Sequence, residues 1–93
     1  MREIRYTNQF KRDFKRESKG RHSHNLDLMI RNIVDDLIRD INLPDKYLDH
    51  AMIGNWSDHR NCLIKPDLIL IYRRVGETEI HLIRLGSHSE LSI

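Results

Sequence analysis

Apolar and polar residues alternate along this chain with two different periods, and the change from one to the other divides it. Glu3-Ile4-Arg5-Tyr6 has the period of a short strand, with Ile4 and Tyr6 facing inward. Thr7 or Asn8 then offers a side-chain oxygen to cap a helix. In that helix Phe10 and Phe14 share one face, while Lys11, Arg12, Lys15, Arg16 and Lys19 take the rest. Gly20 closes the helix, and Arg21-His22-Ser23-His24-Asn25 reads as a connection. From Leu26 to Ile41, Leu26, Met29, Ile30, Ile33, Val34, Leu37, Ile38 and Ile41 recur at helical spacing. Asn42 and Pro44 stop this second helix, because proline and the residue before it both resist helical geometry.

Asp45 to Asn55 reads as a loop, and beyond it the period shortens. Arg60 to Ile64, Leu68 to Val75 and Glu79 to Leu85 read as strands, broken at Lys65-Pro66-Asp67 and at Gly76. Leu68-Ile69-Leu70-Ile71-Tyr72 is apolar without alternation, the mark of a central strand covered on both faces. Three successive strands with short connections form an antiparallel meander, and two helices supply a second layer. The expected fold is one α+β domain over residues 1–93, with two N-terminal helices packed on a mainly antiparallel four-stranded sheet.

The composition, 39% hydrophobic and 32% charged, is that of a folded globule. Cys62 is the only cysteine, which rules out an intrachain disulfide or a thiolate metal cluster and fits a reducing cytosol. The longest apolar run, Leu68 to Tyr72, is too short to span a bilayer, and no apolar segment follows the basic N-terminus, so a soluble cytoplasmic protein is expected. Net charge is only +2, but residues 1–24 hold eight Lys/Arg against three Asp/Glu, while the remainder holds eight against eleven. A basic N-terminal surface suits a phosphate backbone or an acidic protein partner, and the same pattern is also what a solvated helix face carries.

Six histidines are the other candidates for chemistry. His22 and His24 sit in the polar connection, and His81 falls out of phase with Leu82, on the solvent side of its strand. His50, His59 and His88 lie in or beside loops with Asp49, Asp58, Arg60, Lys65 and Asp67 close in sequence. Imidazoles with carboxylates and cations, without the spacing of metal ligands, suit acid-base work on a phosphodiester. RNA cleavage needs a base for the 2′-hydroxyl, an acid for the leaving 5′-oxygen and a cation for the phosphorane. Ordinary surface histidines would give the same list.

Four blocks carry a resemblance: Tyr47-Leu48-Asp49-His50, Gly54-Asn55-Trp56, the run from Arg60 to Tyr72, and the run from Arg84 to Leu91. Together, at consistent spacing, they resemble the pattern of YafQ-type toxins within the RelE superfamily. The N-terminal strand and two helices extend the likeness over nearly the whole chain. The resemblance implies a RelE-like fold and a ribosome-dependent messenger-RNA endonuclease that uses metal-independent acid-base catalysis and no cofactor. It also implies messenger RNA, the ribosome and a cognate antitoxin as partners, with the antitoxin over the same basic surface, operator DNA reached only through the antitoxin, and no membrane. Carried over by residue, the catalytic positions are His50, Asp67 and His88, with His50 or Asp67 as base and His88 as acid. Arg60 and Lys65 are the implied cationic contacts, and Trp56 either stacks on a base or packs on the core. Lys11, Lys15 and Arg16 extend the expected RNA-facing surface.

The chain departs from that pattern at Leu63, where histidine is usual, at Asn61, where an acid is frequent, at Ala51, where proline follows the histidine, and at Ser92, where an aromatic residue occurs. Leucine transfers no proton. Either His59 or His50 substitutes, or the enzyme is weakened, or Leu63 is an introduced detoxifying change. The alternatives are a catalytically weakened or inactive member that acts as antitoxin-binding partner or corepressor, and a ParE-like gyrase poison of the same fold.

Overall fold

The computed structural model describes all of residues 1–93. In chain order the elements are β1 (Glu3–Tyr6), α1 (Asn8–Glu17), α2 (Leu26–Ile38), β2 (His50–Ala51), β3 (Arg60–Lys65), β4 (Leu68–Val75), β5 (Glu79–Gly86) and α3 (His88–Leu91). The sheet runs β1-β5-β4-β3-β2. The meander of β3, β4 and β5 is antiparallel, and β1 lies parallel to β5 because the two helices carry the chain across before it returns. The expected four strands are therefore five. The extra one, His50–Ala51, pairs with Arg60 and Asn61 and is too short to show a period.

A third helix was also not anticipated, although its signal is present. Ser87 Oγ accepts the Glu90 N–H at 3.0 Å and Glu90 Oε1 accepts the Ser87 N–H at 2.9 Å, a reciprocal capping box spelled out by Ser87-His88-Ser89-Glu90. Thr7 caps α1 as expected, its hydroxyl accepting the Phe10 N–H at 3.2 Å. Tyr6 does not face inward: it is 44% exposed and lies tilted against Phe10, while Ile4 is half-buried. α2 stops at Ile38, three residues short of Ile41. Asp40 adopts a left-handed φ of 55°, its N–H reaching Leu37 O and the Ile41 N–H reaching Asp36 O. Those two bonds form a Schellman stop, concealed in the sequence because aspartate holds the position where glycine is usual.

β4 is covered on both faces. Leu68, Leu70 and Tyr72 join Phe10, Ile30, Ile33 and Leu37 under the two long helices. Ile69 and Ile71 point the other way, under Leu91 of α3 with Met52, Trp56, Leu63 and Ile83 around them. The second layer is thin, a short helix and a loop, so polar groups crowd its rim.

The inner face of α1 carries acids as well as phenylalanines. Asp13 is fully buried and accepts from Arg84 Nε at 2.7 Å, Leu85 N–H at 3.0 Å, Arg16 Nη1 at 3.0 Å and Gln9 Nε2 at 3.2 Å. Burial pushes its carboxyl up, but the hydrogen bonds from Arg84, Leu85 and Gln9 outweigh it and hold the group below its ordinary value. Removing the acid would leave Arg84 and a buried N–H unpaired. Asp13→Ala should lower the unfolding free energy by about 3–5 kcal/mol, seen as an earlier urea midpoint. Because the folded value is depressed, this stabilisation is complete above the ordinary carboxylate range and drains away as pH falls through the folded value, so the variant should be less acid-sensitive than its parent. A loss below about 1 kcal/mol would show that the cluster is worth no more than an exposed ion pair.

Candidate active site

The turn between β3 and β4 places Asp67 in a left-handed conformation, φ 58°, immediately after Pro66. From there its carboxylate reaches the start of α3. Oδ1 accepts both the His88 backbone N–H at 3.1 Å and His88 Nδ1 at 2.9 Å. The first bond satisfies a donor that the opening turn of a helix leaves free. The second fixes the imidazole: a carboxylate only accepts here, so Nδ1 carries the proton and Nε2 is left for other chemistry. Oδ2 accepts from Arg21 Nη2 at 3.2 Å. The His88 side chain, then its backbone N–H, hold the Asp67 carboxyl below its ordinary value.

His50 stands on the edge strand β2, opposite Asn61 of β3. Its Nδ1 lies 2.7 Å from Leu48 O, a carbonyl turned by the left-handed φ of 49° at Leu48. A carbonyl has no proton to give, so Nδ1 is again the N–H and Nε2 is free. Directly paired residues share a face, and alternation along β3 puts Leu63 on that face too. His50 therefore occupies the same side of the sheet as Leu63 and α3, and makes no hydrogen bond to the His88–Asp67 pair. His59 bonds Ser57 O through Nδ1 at 3.2 Å and stands edge-on to Trp56, ring centroids 5.2 Å apart.

The expected cations fare differently. Arg60 binds Asp49 through Nη2 at 3.2 Å and Nε at 3.4 Å, while Tyr72 Oη donates to the same carboxylate at 2.5 Å. Burial, then this bond to Asp49, pushes the Tyr72 phenol above its ordinary value. Lys65 Nζ is held by the carbonyls of His22, at 2.9 Å, and His24. Arg16 is shared among Asp13, Glu17, Glu90 and Leu85 O, so its guanidinium is already occupied although the residue is exposed. Trp56 is half-buried in the second apolar cluster. Lys11 and Lys15 are exposed, as are Arg12 and Lys19, and with Asp13 and Glu17 withdrawn into the interior the outer face of α1 is purely cationic. Burial pushes the Cys62 thiol up, leaving it an inert core residue.

Two residues with a part in this arrangement were missed in the sequence. Arg21 lies in what reads as a plain connection, and no local spacing points from it to Asp67. Asp49 was read only as a neighbour of His50, although it anchors that segment to the sheet. No three His, Cys, Asp or Glu side chains gather closely enough to hold a metal ion between them, and no helix is long and apolar enough to cross a membrane.

Residues 2–93 match the family described as bacterial toxin of type II toxin-antitoxin system, YafQ. The chain is 30% identical over 95 residues to the mRNA interferase toxin YafQ of Escherichia coli K12, covering 97% of this chain and 95% of that one. Its fold superposes on YafQ in the E. coli DinJ-YafQ complex with a TM-score of 0.82 at 30% identity, over 98% of each chain. A metal-bound toxin from Helicobacter pylori matches with a TM-score of 0.86 at 36% identity, over 98% of this chain and 99% of that one.

The His88–Asp67 bond makes a direct prediction. In carbon NMR the Asp67 carboxyl should titrate below the carboxylate range in the parent protein and move up toward the ordinary value of about 4 in His88→Ala. Coincident midpoints in the two proteins would mean that the bond is not populated in solution.

Proposed function

The chain belongs to the YafQ family of bacterial type II toxin-antitoxin toxins, and from that membership we propose that it is an endoribonuclease that cuts messenger RNA on the ribosome and is silenced by a cognate antitoxin. The observation that carries the proposal is His88, held through Nδ1–H by Asp67 at 2.9 Å with Nε2 uncommitted on the open face of the sheet. The E. coli relative is named an mRNA interferase, and its structure with DinJ supports an antitoxin as partner here.

In this reading His88 is the general acid and His50 the general base. Asp67 is a poor base, since both its oxygens are engaged and its carboxyl is held low. It serves instead to orient the imidazole of His88. His50 Nε2 takes the proton of the 2′-hydroxyl, and the 2′-oxygen bonds to phosphorus. As the bond to the 5′-oxygen breaks, the His88 imidazolium, protonated on both nitrogens, delivers its Nε2 proton to it and keeps Nδ1–H on Asp67, leaving a 2′,3′-cyclic phosphate and a free 5′-hydroxyl. The ribosome supplies the positioning that this sparse site lacks. Lys11 and Lys15, with Arg12 and Lys19, form the cationic face for ribosomal RNA or for an acidic antitoxin segment. Arg60, Lys65 and Arg16 support the scaffold, and Trp56 caps the second apolar layer.

Leu63 favours a second reading. An apolar side chain on the sheet face shared by His50 and α3, where the resembled pattern has histidine, suits a slowed or silent toxin retained for its antitoxin contacts.

His88→Ala should slow messenger-RNA cleavage on programmed ribosomes by about 10²–10⁴-fold while leaving the urea midpoint unchanged, with His50→Ala losing a similar factor. Parent-like cutting by a folded His88→Ala protein would remove His88 from the reaction. Leu63→His should raise cleavage about tenfold or more, since it adds a proton-transfer group on the sheet face that carries His50. Growth arrest that depends on this substitution would favour the silent-toxin reading, whereas equal cleavage by both proteins would make position 63 a packing position only.

A further inference from the structure

We propose that Arg21 is the phosphate-binding cation of the cleavage site, contacting the non-bridging oxygens of the scissile phosphate beside His88. The inference rests on the ribonuclease reading above and adds a residue that neither composition nor motif picked out.

A phosphorane gathers negative charge on its non-bridging oxygens, so the site needs a donor facing them. Arg60 is held by Asp49, Lys65 by two backbone carbonyls, Arg84 by Asp13, and Arg16 by three carboxylates and a carbonyl. Arg21 differs. It makes one side-chain bond, Nη2 to Asp67 Oδ2 at 3.2 Å, and its side chain is 72% exposed. Nε and Nη1 have no acceptor within the protein, which leaves a free edge of the planar guanidinium for two phosphate oxygens.

Its place is set by the same carboxylate that sets the acid. Oδ1 of Asp67 receives Nδ1–H of His88 and Oδ2 receives Arg21, so a single rigid group spaces the proton donor and the cation. Asp67 also prevents Arg21 from drifting into solvent before substrate arrives, the preorganisation that makes a charge effective in a transition state. Arg21 further lines a wholly polar cleft with Arg16, Glu17, His22, Ser87 and Glu90, which adjoins His88 along the chain. As the 2′-oxygen bonds to phosphorus and the 5′-oxygen leaves, charge grows on the oxygens that Nε and Nη1 face.

The competing role is a latch: Arg21 merely ties the α1–α2 connection to the β3–β4 turn. Lys65 already does so through the carbonyls of His22 and His24, so a latch would be largely redundant. The two roles separate in single-turnover cleavage of messenger RNA on programmed ribosomes at saturating protein, with sulfur replacing either non-bridging oxygen of the scissile phosphate. Arg21→Ala should slow the cut by about 10²–10³-fold, the usual effect of deleting one such donor, and Arg21→Lys should recover part of it. The rate penalty for sulfur at the contacted oxygen should shrink in Arg21→Ala, whereas a latch would leave that penalty unchanged. Parent-like cutting by Arg21→Ala, or a slowed cut with the full sulfur penalty, overturns the inference while the ribonuclease reading stands. A parent protein that leaves the RNA intact overturns that reading, and the inference with it.

Discussion

The central strand β4 buries Leu68, Ile69, Leu70, Ile71 and Tyr72 at almost no exposure, and a strand so apolar must be covered on both faces. One face is met by α1 and α2, which supply most of the core. The other is met only by α3, the segment around Trp56 and a few neighbouring strand residues. That asymmetry decides where polar side chains reach the edge of the core. The thick side is covered by two long helices, while the thin side ends in a rim where His50, Asp67 and His88 emerge from turns, an edge strand and the first residue of a helix. Covering Ile69 and Ile71 with Leu91 is therefore also what places His88, three residues earlier in the chain, next to Asp67.

Three aspartates organise the polar part of the molecule by the same means. Asp13, Asp49 and Asp67 each collect donors from distant segments, an arginine among them. Asp13 binds α1 to β5, Asp49 binds the segment before β2 to β3 and β4, and Asp67 binds the β3–β4 turn to α3 and to the α1–α2 connection. Only the last stands open to solvent on both sides of its contacts, with Asp67 and its two partners all substantially exposed. An interior acid with its donors is a scaffold. An exposed acid gripping an imidazole and a half-free guanidinium is equipped to act on something from outside.

The net charge of the first 24 residues understates their surface. With two of the three acids turned inward and Arg16 occupied by them, the cations that remain on α1 face solvent without compensation. Burying the acids thus strengthens the core contact of the helix and sharpens its outer potential at once.

The hydrophobic period alone determined α1, the body of α2 and the three long strands, because each buries one regular stripe or a continuous apolar run, and it placed β1 while misjudging its inner face at Tyr6. It also marked β4 as doubly covered, although not by what. Features that rest on one or two residues escaped it: the two-residue strand His50–Ala51, and the end of α2 at an aspartate in the left-handed region. The capping box of α3 was legible in Ser87 and Glu90 and was passed over, since the helix is too short for a period. For the site, the sequence singled out His50, Asp67 and His88 by residue type and resemblance. It could not tell a free cation from a spent one, because whether Arg16, Arg21, Arg60 or Lys65 has a partner depends on contacts with segments far away in the chain. Side-chain type is local and readable in one dimension. Which donor meets which acceptor, and so which charge is left over, is settled only when the sheet brings residues 21, 67 and 88 to one corner.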